Sequence, residues 1–94
     1  MNKKKLNNAR KKIDNIDDQI FNLINKRTRI VKEMMNIKKL KKQIIDHKRI
    51  NEILKKIRKK SIKNKLDTLL TKRIWKSIIW SYVDYQQRKY KKNK

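Results

Sequence analysis

The sequence predicts an all-α fold with three helices in the chain. Three observations carry that expectation. First, Gly and Pro are absent throughout. Tight hairpins and phosphate-cradling loops lean on glycine, so long helices joined by short polar links are what remains. Second, apolar residues recur at a spacing of seven from Leu6 to Ile37. Third, two further apolar rows at helical spacing each follow an acidic residue suited to capping a helix.

The first helix is expected from about residue 5 to about residue 40. Its seam has two interleaved rows: Leu6, Ile13, Ile20, Arg27, Met34 and Ala9, Ile16, Leu23, Ile30, Ile37. Nine of these ten positions are apolar, a heptad signal. A helix of about 50 Å, at 1.5 Å per residue, cannot bury its seam by folding on itself in a chain of this size. It needs a partner helix, most simply the same helix of a second copy. "KKQIID" at 41–46 reads as a link, with Asp46 as the N-cap of a second helix. That helix carries Ile50, Ile53, Leu54 and Ile57 on one face and is expected to end near Lys60. "SIKNK" then reads as a second link. Asp67 or Thr68 can cap a third helix over about 68–90, with Leu69, Leu70, Ile74, Ile78, Val83 and two Trp. The whole of 1–94 is expected to be one domain, with Lys-rich ends at 1–5 and 91–94 that fray.

Composition narrows the chemistry. With no Cys, disulfides are excluded and zinc or iron–sulfur sites are not expected. No metal and no cofactor is expected. The N-terminal "MNKKKLNNARKKIDN" lacks the apolar stretch of a signal peptide, and no run of 18 apolar residues is present, so a cytoplasmic setting is expected. One His and three Ser form no convincing triad, and His47 reads as a solvated helix-start residue.

The net charge of +23 suggests a polyanion partner. Yet 24 Lys, 10 Asn and 15 Ile make up 49 of the 94 residues, and those three types share A/T-rich codons, which fills neutral surface with Lys. The charge is also spread along the chain. Arginine is not explained as filler in this way, and there are seven. Trp75 and Trp80, with Tyr82, Tyr85 and Tyr90, could stack on bases, but at helical spacing they serve packing first.

Arg27 occupies the seam itself, while Arg10 and Lys38 lie on the flanking row at spacing seven. A buried guanidinium without a counter-charge is costly. Asp14, Asp17 and Asp18 lie more than two turns away from Arg27 along the helix. The counter-charge could come from a partner chain or from a ligand; the plain alternatives are an ion pair with the second subunit or a side chain that snorkels to water. Arg10 and Arg27 are 17 residues apart, about 25 Å along one helix. One small anion cannot touch both in one chain. If two first helices pair antiparallel, Arg10 of one copy lies near Arg27 of the other.

The order "ARKKIDNIDDQIFNLINKR", then Lys38, then "DHKR", then "IIWSYVDYQQ" resembles the AroQ-type chorismate mutase family. The likeness covers roughly residues 6–90. Its opening pattern, Arg-x-x-Ile-Asp-x-Ile-Asp with Arg27 ten residues after Asp17, is fairly specific. The resemblance implies an intertwined all-helical homodimer with three helices per chain. It implies that Arg27, and Arg10 from the partner subunit, bind the two carboxylates of chorismate. Lys38 would contact a carboxylate and the ether oxygen, Arg49 would extend the cationic wall, and Gln86 would donate to the ether oxygen. The implied activity is the rearrangement of chorismate to prephenate, with no cofactor.

Two positions depart from the mutase pattern. The residue after Arg49 is commonly Glu in mutases and here is Ile50. Four residues before Gln86, where some mutases have Ser, stands Tyr82. Both departures, and the eleven-residue step from Lys38 to Arg49, look like the isochorismate-pyruvate lyases, which share this fold and form salicylate and pyruvate. Isochorismate carries its hydroxyl elsewhere on the ring, so a carboxylate at position 50 would be left unpaired. Outside enzymes, a basic helical module for nucleic acid or anionic membranes accounts for the charge, and a purely structural coiled-coil dimer accounts for the seam.

Overall fold

The computed structural model describes residues 2–37 and 44–92, with the backbone alone for 91 and 92. The described residues form three α-helices and no strand: α1 (Lys3–Ile37), α2 (His47–Lys63) and α3 (Thr68–Lys92). The chain divides into two compact units. One is α1, within Met1–Ile37; the other, Lys38–Lys94, contains the α2–α3 hairpin.

Both expected acidic caps are formed. Asp46 takes an extended backbone, and its side chain accepts from the Arg49 N–H at 3.0 Å. Asp67 Oδ1 accepts from the N–H groups of Leu69 and Leu70 at 2.8 and 3.1 Å. Each cap satisfies donors that the first turn cannot pair internally.

The end of α2 differs from expectation. Ser61, Ile62 and Lys63 are helical, so the link is shorter than "SIKNK". The reason is Ser61, which is only 2% exposed. Its Oγ lies 2.7 Å from the Ile57 carbonyl and 2.7 Å from Thr71 Oγ1 on α3. A serine hydroxyl has one proton. Thr71 Oγ1 is at 3.3 Å from the carbonyls of Asp67 and Thr68, a longer alternative. The shortest consistent chain is therefore Thr71 donating to Ser61, and Ser61 donating to the Ile57 carbonyl. This pair pins the two helices beside their link.

The link closes as a Schellman motif. Lys65 N–H donates to the Ile62 carbonyl at 3.2 Å and Leu66 N–H to the Ser61 carbonyl at 2.9 Å. Lys65 sits at φ 57°, in the left-handed region usually given to glycine. The lack of Gly did not prevent a positive-φ turn; a lysine takes it at a cost of about 1–2 kcal/mol. Lys65→Gly is expected to stabilise the hairpin by about 1 kcal/mol, read as a raised Tm with unchanged helix content. A lowered Tm would mean that the Lys65 side chain contributes more than its backbone strain removes.

The packed faces are only partly those expected. On α2, Ile50, Ile53, Leu54 and Ile57 are all half-buried, as the spacing predicts. On α3 the inward stripe is Thr71, Trp75, Ile78 and Ile79, Tyr82 and Val83, and Gln86. Ile79 and Val83 are buried, whereas Leu69, Leu70, Ile74 and Trp80 are exposed. Of the apolar residues on α3, the hairpin thus covers Trp75, Ile78 and Val83 and leaves Leu69, Leu70 and Ile74 out, with Thr71 turned inward to Ser61.

Candidate active site

On α1, every one of the nine apolar seam positions is exposed, with Met34 at 41% and Ile37 at 78%. Beside the seam runs a different stripe: Ile24, Thr28 and Met35 are half-buried and Val31 is buried. Thr28 Oγ1 donates to the Ile24 carbonyl at 2.8 Å, the usual way a helix hides a hydroxyl. Arg27 stands where the two stripes meet and is half-buried. Part of the Arg27 side chain is thus covered, which no other cation described on α1 matches. Arg10, seventeen residues earlier on the same helix, is exposed. A helix rises 1.5 Å per residue, so the two arginines stand about 25 Å apart within the chain.

The remaining described candidates belong to the hairpin. The Ser61–Thr71 contact sets the antiparallel register. Eleven residues back along α2 and eleven forward along α3 put Ile50 level with Tyr82, and the same count puts the start of α2 level with Gln86. Ile50 is half-buried there. Gln86 is buried, and its Nε2 donates to the Tyr82 carbonyl at 3.1 Å, which fixes the amide on the same face as Tyr82. A glutamine amide has two N–H groups, so that bond uses one of them. The Tyr82 ring meets Tyr85 edge-on, with centroids 6.4 Å apart, and Tyr85 in turn carries Lys89 and Arg88 over its face at 5.6 and 6.0 Å. This aromatic–cation cluster stiffens the last turns of α3 around Gln86.

Arg49 is exposed and lies on the first turn of α2. Its Nη1 is 3.6 Å from Glu52 Oε2, a loose, solvated pair of the kind worth little in stability. The i,i+3 spacing of the two residues is the signal by which this pair could have been found in the sequence. Lys38, the expected donor to the ether oxygen, lies outside the described residues. Within the chain, then, the register puts Ile50 level with Tyr82 and the start of α2 level with Gln86, one turn further on, and α1 separates Arg10 from Arg27.

No group of three or more His, Asp or Glu able to hold a metal ion occurs among the described residues. No helix among them is long and apolar enough to cross a membrane.

A family model described as chorismate mutase type II matches residues 9–87. That span includes Arg10, Arg27, Lys38, Arg49, Ile50, Tyr82 and Gln86. No curated protein and no solved structure matches the chain significantly.

Proposed function

The chain belongs to the type II chorismate mutase family, and we propose that it rearranges chorismate to prephenate in a site shared between two copies of itself. The observation that carries this reading is Arg27, a half-buried arginine at the edge of an apolar seam whose nine apolar positions are all exposed in one chain. A seam of that length asks for a second helix. Antiparallel pairing of two α1 helices supplies both the missing apolar cover and the second arginine, Arg10 of the other copy.

The reaction is pericyclic: one carbon–oxygen bond breaks as one carbon–carbon bond forms, with no nucleophile, base or metal required. The site has two tasks. It holds a flexible dianion in its compact conformer, and it stabilises the negative charge growing on the ether oxygen. Arginine keeps its charge at any working pH and meets carboxylates with two parallel N–H bonds. Arg27 and the second copy's Arg10 take the two carboxylates in this reading. Arg49 raises the local positive potential. Lys38 and the Gln86 amide donate to the ether oxygen.

A second reading within the same fold is isochorismate-pyruvate lyase activity. It is favoured by Ile50, an aliphatic side chain level with Tyr82 where mutases commonly place a carboxylate. Incubation of the protein separately with chorismate and with isochorismate decides between them, since prephenate and salicylate plus pyruvate are readily told apart. Turnover of neither substrate would remove both readings. If the mutase reading holds, Ile50→Glu supplies an acceptor for the chorismate ring hydroxyl. It is expected to raise kcat/KM for chorismate by about tenfold or more, the worth of one hydrogen bond to a charged group. In a lyase the same change is expected to lower salicylate formation.

A further inference from the structure

Between α2 and α3, beside their link, lies a groove of about 300 Å³. Its floor is Leu54, Ile57 and Thr71. The two aliphatic side chains are half-buried, and the Thr71 hydroxyl is engaged with Ser61, so the floor offers a largely apolar surface. Its rim is Lys55 and Arg58 from α2 and Lys72 from α3, all exposed, with Asn51 and Thr68 supplying neutral polar groups. No carboxylate lines it. The neighbouring acid, Asp67, holds the N–H groups of Leu69 and Leu70.

This groove is not the site described above. Arg58 is nine residues after Arg49 on the same helix, about 180° around it, and Asn51 is about 200° from Arg49. The polar rim of the groove on α2 therefore faces away from Arg49, while its floor, Leu54 and Ile57, continues the row of Ile50 by one and two turns toward the link. Three cations line one groove with an apolar floor, two of them an unfavourable like-charge i,i+3 pair on one helix. An anion seated there relieves that repulsion, and an apolar body gains from the floor.

The geometry points to a second ligand site in this groove, for a small organic anion with a flat apolar body, of the aromatic carboxylate class. Its volume is at the small end of those that hold drug-sized ligands. The lining has no aromatic ring on which bases could stack, which disfavours single-stranded nucleic acid. A bare inorganic anion would leave the Leu54–Ile57 floor unused. The site makes no use of Arg10, Arg27 or Gln86, so it stands or falls separately from the proposed rearrangement.

The test is an NMR titration of the uniformly ¹⁵N-labelled full chain with 2-naphthoate, with acetate and 2-naphthylmethanol as controls. Saturating shifts are expected at the amides of Asn51, Leu54, Thr68 and Lys72, with Kd below about 1 mM. The Arg27 and Arg49 amides are expected to stay in place. Loss of the carboxylate or of the ring is each expected to weaken binding by about tenfold or more, the worth of one charge-assisted hydrogen bond or of one buried ring. The double variant Lys55→Glu/Lys72→Glu is expected to lose binding while Lys4→Glu/Lys5→Glu, with the same change in net charge, keeps it. Helicity by circular dichroism checks that both variants fold.

Four results would overturn the site: equal loss in the two double variants, acetate binding as tightly as naphthoate, shifts centred on Arg27 or Arg49, or no saturable shift. Groove amides that respond to protein dilution and not to naphthoate would make the groove an interface between copies, and would overturn it as well. The chorismate assay on Lys55→Glu/Lys72→Glu reads the proposed rearrangement independently.

Discussion

Arg27→Ala is expected to lower kcat/KM for chorismate by about 10³-fold while leaving helix content unchanged. The size follows from what is removed. A guanidinium that meets a carboxylate in a partly desolvated setting is worth about 2–5 kcal/mol when truncated, because the ligand's charge is left without its partner. Helix content should hold because Ala has the highest helix propensity and the neighbouring stripe of Ile24, Thr28, Val31 and Met35 is untouched. Arg27→Lys separates charge from shape. It keeps the cation but not the two-pronged donor, so most of the loss should persist. Arg27→Leu tests the structural alternative. If Arg27 were only a misfit in a coiled-coil seam, this variant would gain stability and lose no activity. Full turnover by Arg27→Ala would remove the site proposed here. The measurement is steady-state kinetics beside far-ultraviolet circular dichroism.

Mixing two inactive variants is expected to restore activity. In the proposed homodimer, Arg10→Ala and Arg27→Ala would each damage both sites. In a mixed dimer, one site pairs the intact Arg27 of the first chain with the intact Arg10 of the second. The other site carries both defects. Random exchange at equal concentrations makes half the dimers mixed, so about a quarter of wild-type activity should return. If both arginines acted within one chain, every site of every dimer would stay damaged and no activity would return. The prediction follows from a helix geometry that holds the two residues about 25 Å apart in one chain. Denaturing and refolding the variants together, with each refolded alone as control, is the experiment. The exposed apolar seam adds a second readout: the wild-type chain should sediment as a dimer, and Ile16→Lys or Ile20→Lys in that seam should shift it toward monomer.

Much of the fold was legible because its signals are local. Asp46 and Asp67 cap helices where an acidic residue precedes an apolar row, and both caps are present in the structure. The α1 heptads needed only spacing. What spacing leaves open lies where two helices meet. Leu69, Leu70 and Ile74 carry more hydrophobicity than Thr71, and apolar spacing alone did not say which face of α3 turns inward. The structure buries Thr71 in their place, because Ser61 satisfies its hydroxyl across the helix pair at 2.7 Å. Neither residue announces that partnership alone. The extra turn of α2 through Lys63 has the same cause, since Ser61 closes the row begun by Ile50, Leu54 and Ile57. The candidate site divides the same way. Arginine positions and their separation could be read from spacing. That Ile50 stands level with Tyr82, and that the Gln86 amide is tied to the Tyr82 carbonyl, follows only from the hairpin register.

The sequence by itself therefore determined the number of helices, their caps, the seam of α1 and the placing of Arg27 within it. All of these depend on the 3.6-residue turn and on groups within one turn of each other. The tertiary structure alone decided which face of α3 turns inward, how far α2 runs, and that a lysine takes the left-handed turn at 65. Those outcomes depend on a hydroxyl pair ten residues apart, and a hydrogen bond between two helices has no energy until the helices are side by side.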